Sequence, residues 1–297
     1  MSLFISSSLT RTATIVLAKR DTNTFDRALG ILPSTNSHRL LANDKAYECE
    51  VPDNVMQEEV LKALKDIDVE ADVCIQPSKG RKKKLLICDM DSTLIGQECI
   101  DELADFAGVK DRVSAITERA MRGEIGFEGA LTERVSLLKN LDISTLQQCF
   151  EERIKLNEGA RILCQTMKAN GAKTVIVSGG FTFFTGRVAE ACGFDAHQAN
   201  TLIEEDSKLT GTVGMPILGR EAKLEALDQH SAEFDGRSNA IAIGDGANDL
   251  AMVTAAGLGI AYYAKPLVAA QAHCAINHTD LTTALYFQGY EESEFVT

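Results

Sequence analysis

The chain has no unbroken apolar stretch of the roughly 18 residues that a membrane span needs. Met1 to Thr10 lack the basic region and long apolar core that mark a secretory signal. Only five histidines occur, none in a spacing such as HExxH, which argues against a zinc site. No Walker A sequence is present, so the glycine-rich nucleotide cradle of P-loop enzymes is absent. The eight cysteines form no CxxC pair. Several lie in apolar runs, where a free cysteine behaves as a small hydrophobe, and together they suit a reducing cytoplasm better than a disulfide framework. Positive charge is short as well: 30 Lys and Arg stand against 43 Asp and Glu, a net charge of -13. Residues 1–84 carry 13 basic and 12 acidic side chains, whereas residues 85–297 carry 17 and 31. The acidic excess of the larger part repels nucleic acid and anionic membrane, so neither is expected as a partner. The basic run Arg81-Lys82-Lys83-Lys84 precedes an apolar strand and reads as a solvated linker rather than a nucleic-acid patch.

What is present is organised around Lys83 to Leu94, KKLLICDMDSTL. The apolar run reads as a short buried strand that stops at two aspartates one residue apart. In an extended chain Asp89 and Asp91 point to the same side, and their like charges repel unless a cation lies beside them. Mg²⁺, a hard ion that takes oxygen ligands, would serve. An Asx-rich turn capping a helix would also explain these residues.

Before this segment, 11–18, 46–51 and 69–75 read as strands, 22–31 and 54–65 as helices, and Pro33 as the start of a polar loop. Val60, Leu61 and Leu64 form one helical stripe. Residues 1–80 are thus a small α+β domain, ended by Pro77-Ser78-Lys79-Gly80. Its expected roles are ligand sensing, assembly into a homodimer, or support. Residues 97–157 lose their β signals and read as a helical insertion. Strand–helix alternation resumes after Gly159, so 84–96 and 158–285 are expected to build one mostly parallel sheet covered on both faces. Residues 286–297 form a tail, and Glu291 to Thr297 are expected to be frayed and solvated.

Two further strand ends carry polar clusters. TVIVSGG, 174–180, ends in Ser178, Gly179 and Gly180, a hydroxyl and backbone N–H groups able to approach an anion; an ordinary tight turn reads the same way. IAIGDGANDLAMV, 241–253, places Asp245, Asn248 and Asp249 at a strand end, where helix capping explains one of them but not all three. Four carboxylates at one sheet edge favour a bound cation. Lys223, in GREAKLEAL, is either a solvent-facing helical lysine or the positive charge a phosphate site needs. Together these groups suit phosphoryl transfer, with a carboxylate nucleophile and a second carboxylic acid as proton donor and acceptor.

DMDSTL, VSGG, Lys223 and GDGANDLAM resemble the four motifs of the haloacid dehalogenase-like phosphatases, over roughly residues 84–285. The resemblance implies a Rossmann-like α/β core with an inserted helical cap, and a Mg²⁺-dependent phosphomonoester hydrolase in the cytoplasm. It implies that Asp89 is the nucleophile and Asp91 the general acid and base. Asp89, Asp245 and the Asp91 carbonyl would bind Mg²⁺, with Asp249 supporting them. Ser178, Gly179, Lys223 and Asn248 would hold phosphate. In the cap, Glu98 and Arg134 match the family's ammonium and carboxylate partners for phosphoserine, and Met121 and Phe127 its apolar cover. Taken alone, Met121 and Phe127 could be packing residues and Arg134 a surface ion-pair residue. The alternative is a related Mg²⁺-dependent phosphatase or phosphotransferase acting on another small phosphoalcohol such as phosphohomoserine. A catalytically silent binding protein is disfavoured by the intact aspartates and lysine. The N-terminal domain resembles the ACT fold, βαββαβ, with one strand unread.

Overall fold

The computed structural model describes residues 11–32 and 38–297. Met1 to Thr10 and the loop expected from Pro33 lie outside them.

The N-terminal unit runs β1 (Arg11–Leu17), α1 (Thr22–Leu29), β2 (Arg39–Ala42), β3 (Ala46–Val51), α2 (Gln57–Asp66) and β4 (Ala71–Pro77). Its antiparallel sheet has the order β2-β3-β1-β4. The strand unread in the sequence is β2, whose four residues pair with β3 through an irregular register. Phe25, Ala28, Val60 and Leu64 press onto Ile15, Leu17, Tyr47 and Val73 to make a separate small core. Leu61 departs from the expected stripe: it is 38% exposed, and only Val60 and Leu64 of the three are buried.

The larger sheet has the order β12-β11-β10-β5-β6-β7, every pair parallel. Its strands are β5 (Leu85–Cys88), β6 (Lys173–Phe181), β7 (Ala196–Asn200), β10 (Ala240–Gly244), β11 (Leu258–Tyr262) and β12 (Cys274–Ile276). A parallel sheet covered on both faces needs strands apolar on both sides, and LLIC and AIAIG are buried throughout. The two-residue period splits them. Leu86, Cys88, Ile176, Ile241 and Ile243 join one core, and Leu85, Ile87, Val175, Ala240 and Ala242 the other. Cys88 is level with both Ile176 and Ile243, so the three central strands deliver their following residues to one edge.

Between β5 and β6 come α3 (Cys99–Phe106), α4 (Lys110–Met121), α5 (Phe127–Ser136), α6 (Ser144–Arg153) and α7 (Ala160–Ala169). After β6, α8 (Thr182–Cys192) leads to β7, and the hairpin β8 (Leu202–Glu205) and β9 (Lys208–Val213) follows. Then come α9 (Arg220–Ser231), α10 (Leu250–Ala255), α11 (Pro266–Ala269) and α12 (Thr283–Phe287). The helical segment leaves and rejoins the core side by side: Ile95 bridges Leu156, and the Asn157 amide donates to the Thr93 carbonyl at 2.8 Å. Among the described residues no helix is long and apolar enough to cross a membrane. All eight cysteines are free and buried.

Two sequence expectations fail because the residues concerned make fixed contacts in the folded chain. The basic run is not a solvated linker throughout. Lys83 is buried, its ammonium donating to the Gly80 and Ser238 carbonyls at 2.9 Å each, and Arg81 pairs with buried Glu48 at 2.6 Å. Nor are residues 291–297 frayed. Glu291 pairs with Arg39, Glu292 with Arg20 and Glu294 with Lys82, while Phe295 packs on Tyr286. Asp72 of β4 fastens the two units from the other side: it accepts from the backbone N–H of Asn277 (2.8 Å) and His278 (3.2 Å) and from the Thr279 hydroxyl (2.6 Å).

Candidate active site

The chain leaves the sheet at Asp89 but stays attached to it, because the Asp89 N–H donates to the Ile243 carbonyl at 3.0 Å. Met90 turns inward and is fully buried. Its carbonyl accepts from Leu94 at 2.8 Å and Ile95 at 3.1 Å, and Ser92 takes a left-handed φ of 54° to close this turn. Asp91 Oδ1 accepts from the Cys99 N–H at 3.0 Å, and its Oδ2 from the Ser178 hydroxyl at 3.4 Å. The hydroxyl of Ser178 in turn accepts from the Gly180 N–H at 2.9 Å. SGG is not a tight turn but the irregular end of β6, which slips register before Phe181 pairs with Asn200. A Cβ on Gly180 would lie 2.6 Å from Asp91 Oδ2, so any larger residue there must displace the Asp91 carboxylate.

The loop after β10 wraps around Asp249. Asp249 Oδ2 accepts from the backbone N–H of Asp245 (3.2 Å) and Gly246 (2.9 Å), and its Oδ1 meets the Lys223 ammonium at 2.5 Å. Lys223 also reaches Asp89 Oδ2 at 2.7 Å. One ammonium thus serves two buried carboxylates. Burial opposes its charge, but Asp249 and Asp89 outweigh that and raise its pKa. Negative charge remains in excess: burial and Asp249 push the Asp89 carboxyl well up against the pull of Lys223. Burial and Asp249 likewise push Asp245 up to about 6.

A cavity of about 390 Å³ opens over these groups. Asp89, Asp91, Ser178, Gly179, Asp245 and Asn248 line its core side, and Glu98, Met121, Phe127 and Arg134 its helical side. Glu98 caps α3 and accepts from the Ser92 hydroxyl at 2.7 Å. Although its surface faces the cavity, desolvation by the surrounding protein and the charge of Asp91 push it up to about 7. Arg134 Nε donates to its own helix at Ala130 (3.3 Å), and its Nη1 to Thr117 (3.4 Å). Phe127 stands over Gly179, where an added Cβ would come within 3.1 Å of the ring; Met121 is 67% exposed at the rim. Lys223 and Asp249 lie behind this wall and do not line it. Three polar residues on the wall, Asp101, Thr117 and Lys265, were missed in the sequence, two of them charged. Asp101 lies three residues beyond Glu98 on the same helix, a spacing that shares a face. Lys265 follows the carboxyl end of β11, the same sheet edge as Asp89.

Asp89, Asp245 and Asp249 each bring a carboxylate oxygen within 4.8 Å of the others, a donor set that could hold a divalent cation. All-oxygen donors and uncompensated negative charge fit a hard ion such as Mg²⁺. Asp249, already satisfied by Lys223 and two N–H groups, is the least available of the three.

Residues 86–254, more than half the chain, match the sequence model of haloacid dehalogenase-like hydrolases. The chain belongs to this family. Haloacid dehalogenase-like relatives named phosphoserine phosphatase include one from Archaeoglobus fulgidus, 47% identical over 66% of this chain and 58% of its own length. Another, from Saccharomyces cerevisiae, is 37% identical over 82% of both chains. The chain therefore spans little more than half of the first relative and most of the second. Among solved structures, a family hydrolase from Salmonella enterica serovar Typhi superposes with a TM-score of 0.82 at 30% identity, over 93% of this chain and 98% of its own. A phosphoserine phosphatase described as a phospho-aspartyl intermediate analogue gives 0.64 at 41% identity, over 69% and 98%. This haloacid dehalogenase-like hydrolase is closely related to phosphoserine phosphatase.

Proposed function

We propose that this chain hydrolyses O-phospho-L-serine to L-serine and inorganic phosphate, the last step of serine biosynthesis. The observation that carries this is the two-sided cavity: Asp89 and Asp91 at its floor, Glu98 and Arg134 on the facing helices. Phosphoserine presents a phosphate, an ammonium and a carboxylate, and these groups match all three. Asp89 attacks phosphorus, forming an aspartyl phosphate as the bond to the serine oxygen breaks. Asp91 gives its proton to that oxygen, then takes one from the water that releases phosphate. Its raised pKa, caused by burial, suits a group that must arrive protonated. Ser178, the Gly179 N–H and Asn248 hold the phosphoryl oxygens, and Lys223, paired with Asp89 behind the wall, supplies positive charge to them rather than lining the cavity. Glu98 takes the ammonium, Arg134 the carboxylate as a planar fork, and Met121 and Phe127 exclude water. Mg²⁺, held by Asp89, Asp245 and the Asp91 carbonyl with Asp249 supporting them, would neutralise phosphate charge.

The test is phosphate release from L-phosphoserine, phosphothreonine, phosphohomoserine and glycerol 3-phosphate, with Mg²⁺ and with chelator. A Mg²⁺-dependent preference for L-phosphoserine is expected, and none at all from Asp89→Asn. Flat rates across the panel would remove Glu98 and Arg134 from substrate recognition.

The βαββαβ order of the N-terminal unit supports an ACT-like, amino-acid-sensing role, in a cytoplasmic chain that forms a homodimer. Two serine sites per full chain in equilibrium dialysis would bear this out; one would reject the sensing role.

A further inference from the structure

The cavity wall poses an electrostatic problem. Asp89, Asp91, Glu98, Asp101 and Asp245 line it, and the only lysine or arginine side chains among its described lining residues are Arg134 and Lys265. Without a bound cation that wall is formally net negative, five carboxylates against two cations. The substrate of the proposed reaction carries a phosphate and a carboxylate, so it must enter against charge of its own sign. Lys223 gives little help on approach, being buried behind the wall between Asp89 and Asp249. Arg134 is held on its helix by Ala130 and by Thr117 of α4.

Lys265 differs from both. It is exposed, it lines the cavity, and its ammonium has no hydrogen-bond or ion-pair partner among the described residues. Its backbone is fixed beside the loop that carries Asp245. The Lys265 N–H donates to the Asp245 carbonyl at 3.3 Å. Its own carbonyl accepts from Val268 (2.9 Å) and Ala269 (3.1 Å), and Pro266 sets the first helical residue of α11. The result is an unpaired cation on a fixed stem at the open side of a carboxylate-lined pocket.

We propose that Lys265 is the anion-capturing residue of this site: it draws the phosphoryl group of the incoming ester past the wall carboxylates and holds inorganic phosphate before release. The role rests on the phosphomonoesterase function proposed above. A single exposed charge contributes little to stability, but in a cleft it changes local ligand concentration and encounter rate. Its effect therefore belongs in KM and in salt dependence rather than in the chemical step.

Lys265→Gln and Lys265→Arg are compared with the unaltered full chain in Mg²⁺, at salt of about 20 mM and about 500 mM, where screening lengths differ severalfold. Phosphoserine and p-nitrophenyl phosphate are the substrates, and inorganic phosphate is the inhibitor. At low salt Lys265→Gln is expected to lower kcat/KM roughly tenfold and to weaken phosphate inhibition by a similar factor, with kcat within about twofold. The deficit shrinks at high salt, and Lys265→Arg restores most of it. A loss carried by kcat, a loss indifferent to salt, or no loss would overturn the proposal. If the unaltered chain turns over p-nitrophenyl phosphate but not phosphoserine, the substrate assignment fails while the Lys265 comparison is still read on the aryl ester. If it turns over neither, calorimetric binding of inorganic phosphate decides, and equal affinity in Lys265→Gln rejects the role.

Discussion

Lys223 holds the balance of buried charge. Its ammonium is shared by two carboxylates that are themselves almost wholly buried. Removing one partner of a buried ionic cluster strands the rest, at a cost of roughly 3–5 kcal/mol. Lys223→Met is therefore expected to lose that much stability in urea unfolding, and adding Asp249→Asn should recover part of it. A neutral effect of Lys223→Met would mean that the cluster carries less buried negative charge than its two carboxylates suggest, in line with the raised pKa of Asp89. Gly180 gives a different kind of prediction. A methyl group there collides with Asp91 Oδ2, and displacing an acid by about an ångström costs on the order of 10²-fold in rate. Gly180→Ala should show that loss in kcat with a near-normal melting temperature. The four aspartates were legible in the sequence because strand ends and like charges announce themselves. The burial of Lys223 was not, since one lysine in a helical pattern looks like any other until the sheet edge closes over it.

Among the elements, the parallel strands were the easiest to read, because burial on both faces leaves continuous apolar runs such as LLIC and AIAIG. β2 went unread for the opposite reason. RLLA is too short to alternate, and it is a strand only because β3 lies beside it. The pairing of β2 with β3 also gives stability a pH dependence, because it sets Arg39 level with Glu48. Glu48 of β3 is buried, which pushes its carboxyl up, but hydrogen bonds and charge from Arg81 and Arg39 more than offset this and leave its pKa below the ordinary value. A lowered carboxyl pKa adds stability that is complete above the unfolded pKa, about 4.5, and is lost as pH falls through the folded one. Glu48→Gln should flatten the acid limb of stability below about pH 4.5 in urea titrations at stepped pH. An unchanged limb would assign acid unfolding to other carboxylates.

For the whole molecule, composition indicated two units with different charge, but no local pattern showed that the last residues return to the first unit. Arg20, Arg39 and Lys82 meet Glu292, Glu291 and Glu294 only in the folded chain. Exposed pairs of this kind are each worth about 0–1 kcal/mol, and Phe295 on Tyr286 adds packing. Ending the chain after Tyr290 should lower the melting temperature by several degrees, at roughly 2–4 °C per kcal/mol for a large domain. Turnover should be unchanged, since none of these residues lines the cavity. A loss of activity without a fall in melting temperature would show that the tail acts on the site. The clasp at Asp72 carries a consequence for how the protein is made. Its nearest backbone partner, Asn277, lies 205 residues further along the chain. At a synthesis rate of about 5–20 residues per second, roughly 10–40 s separate the two on the ribosome. Through that interval the first unit can fold on its own core, but it holds a bare carboxylate and an uncovered β4 edge, and it docks only after the catalytic part has emerged.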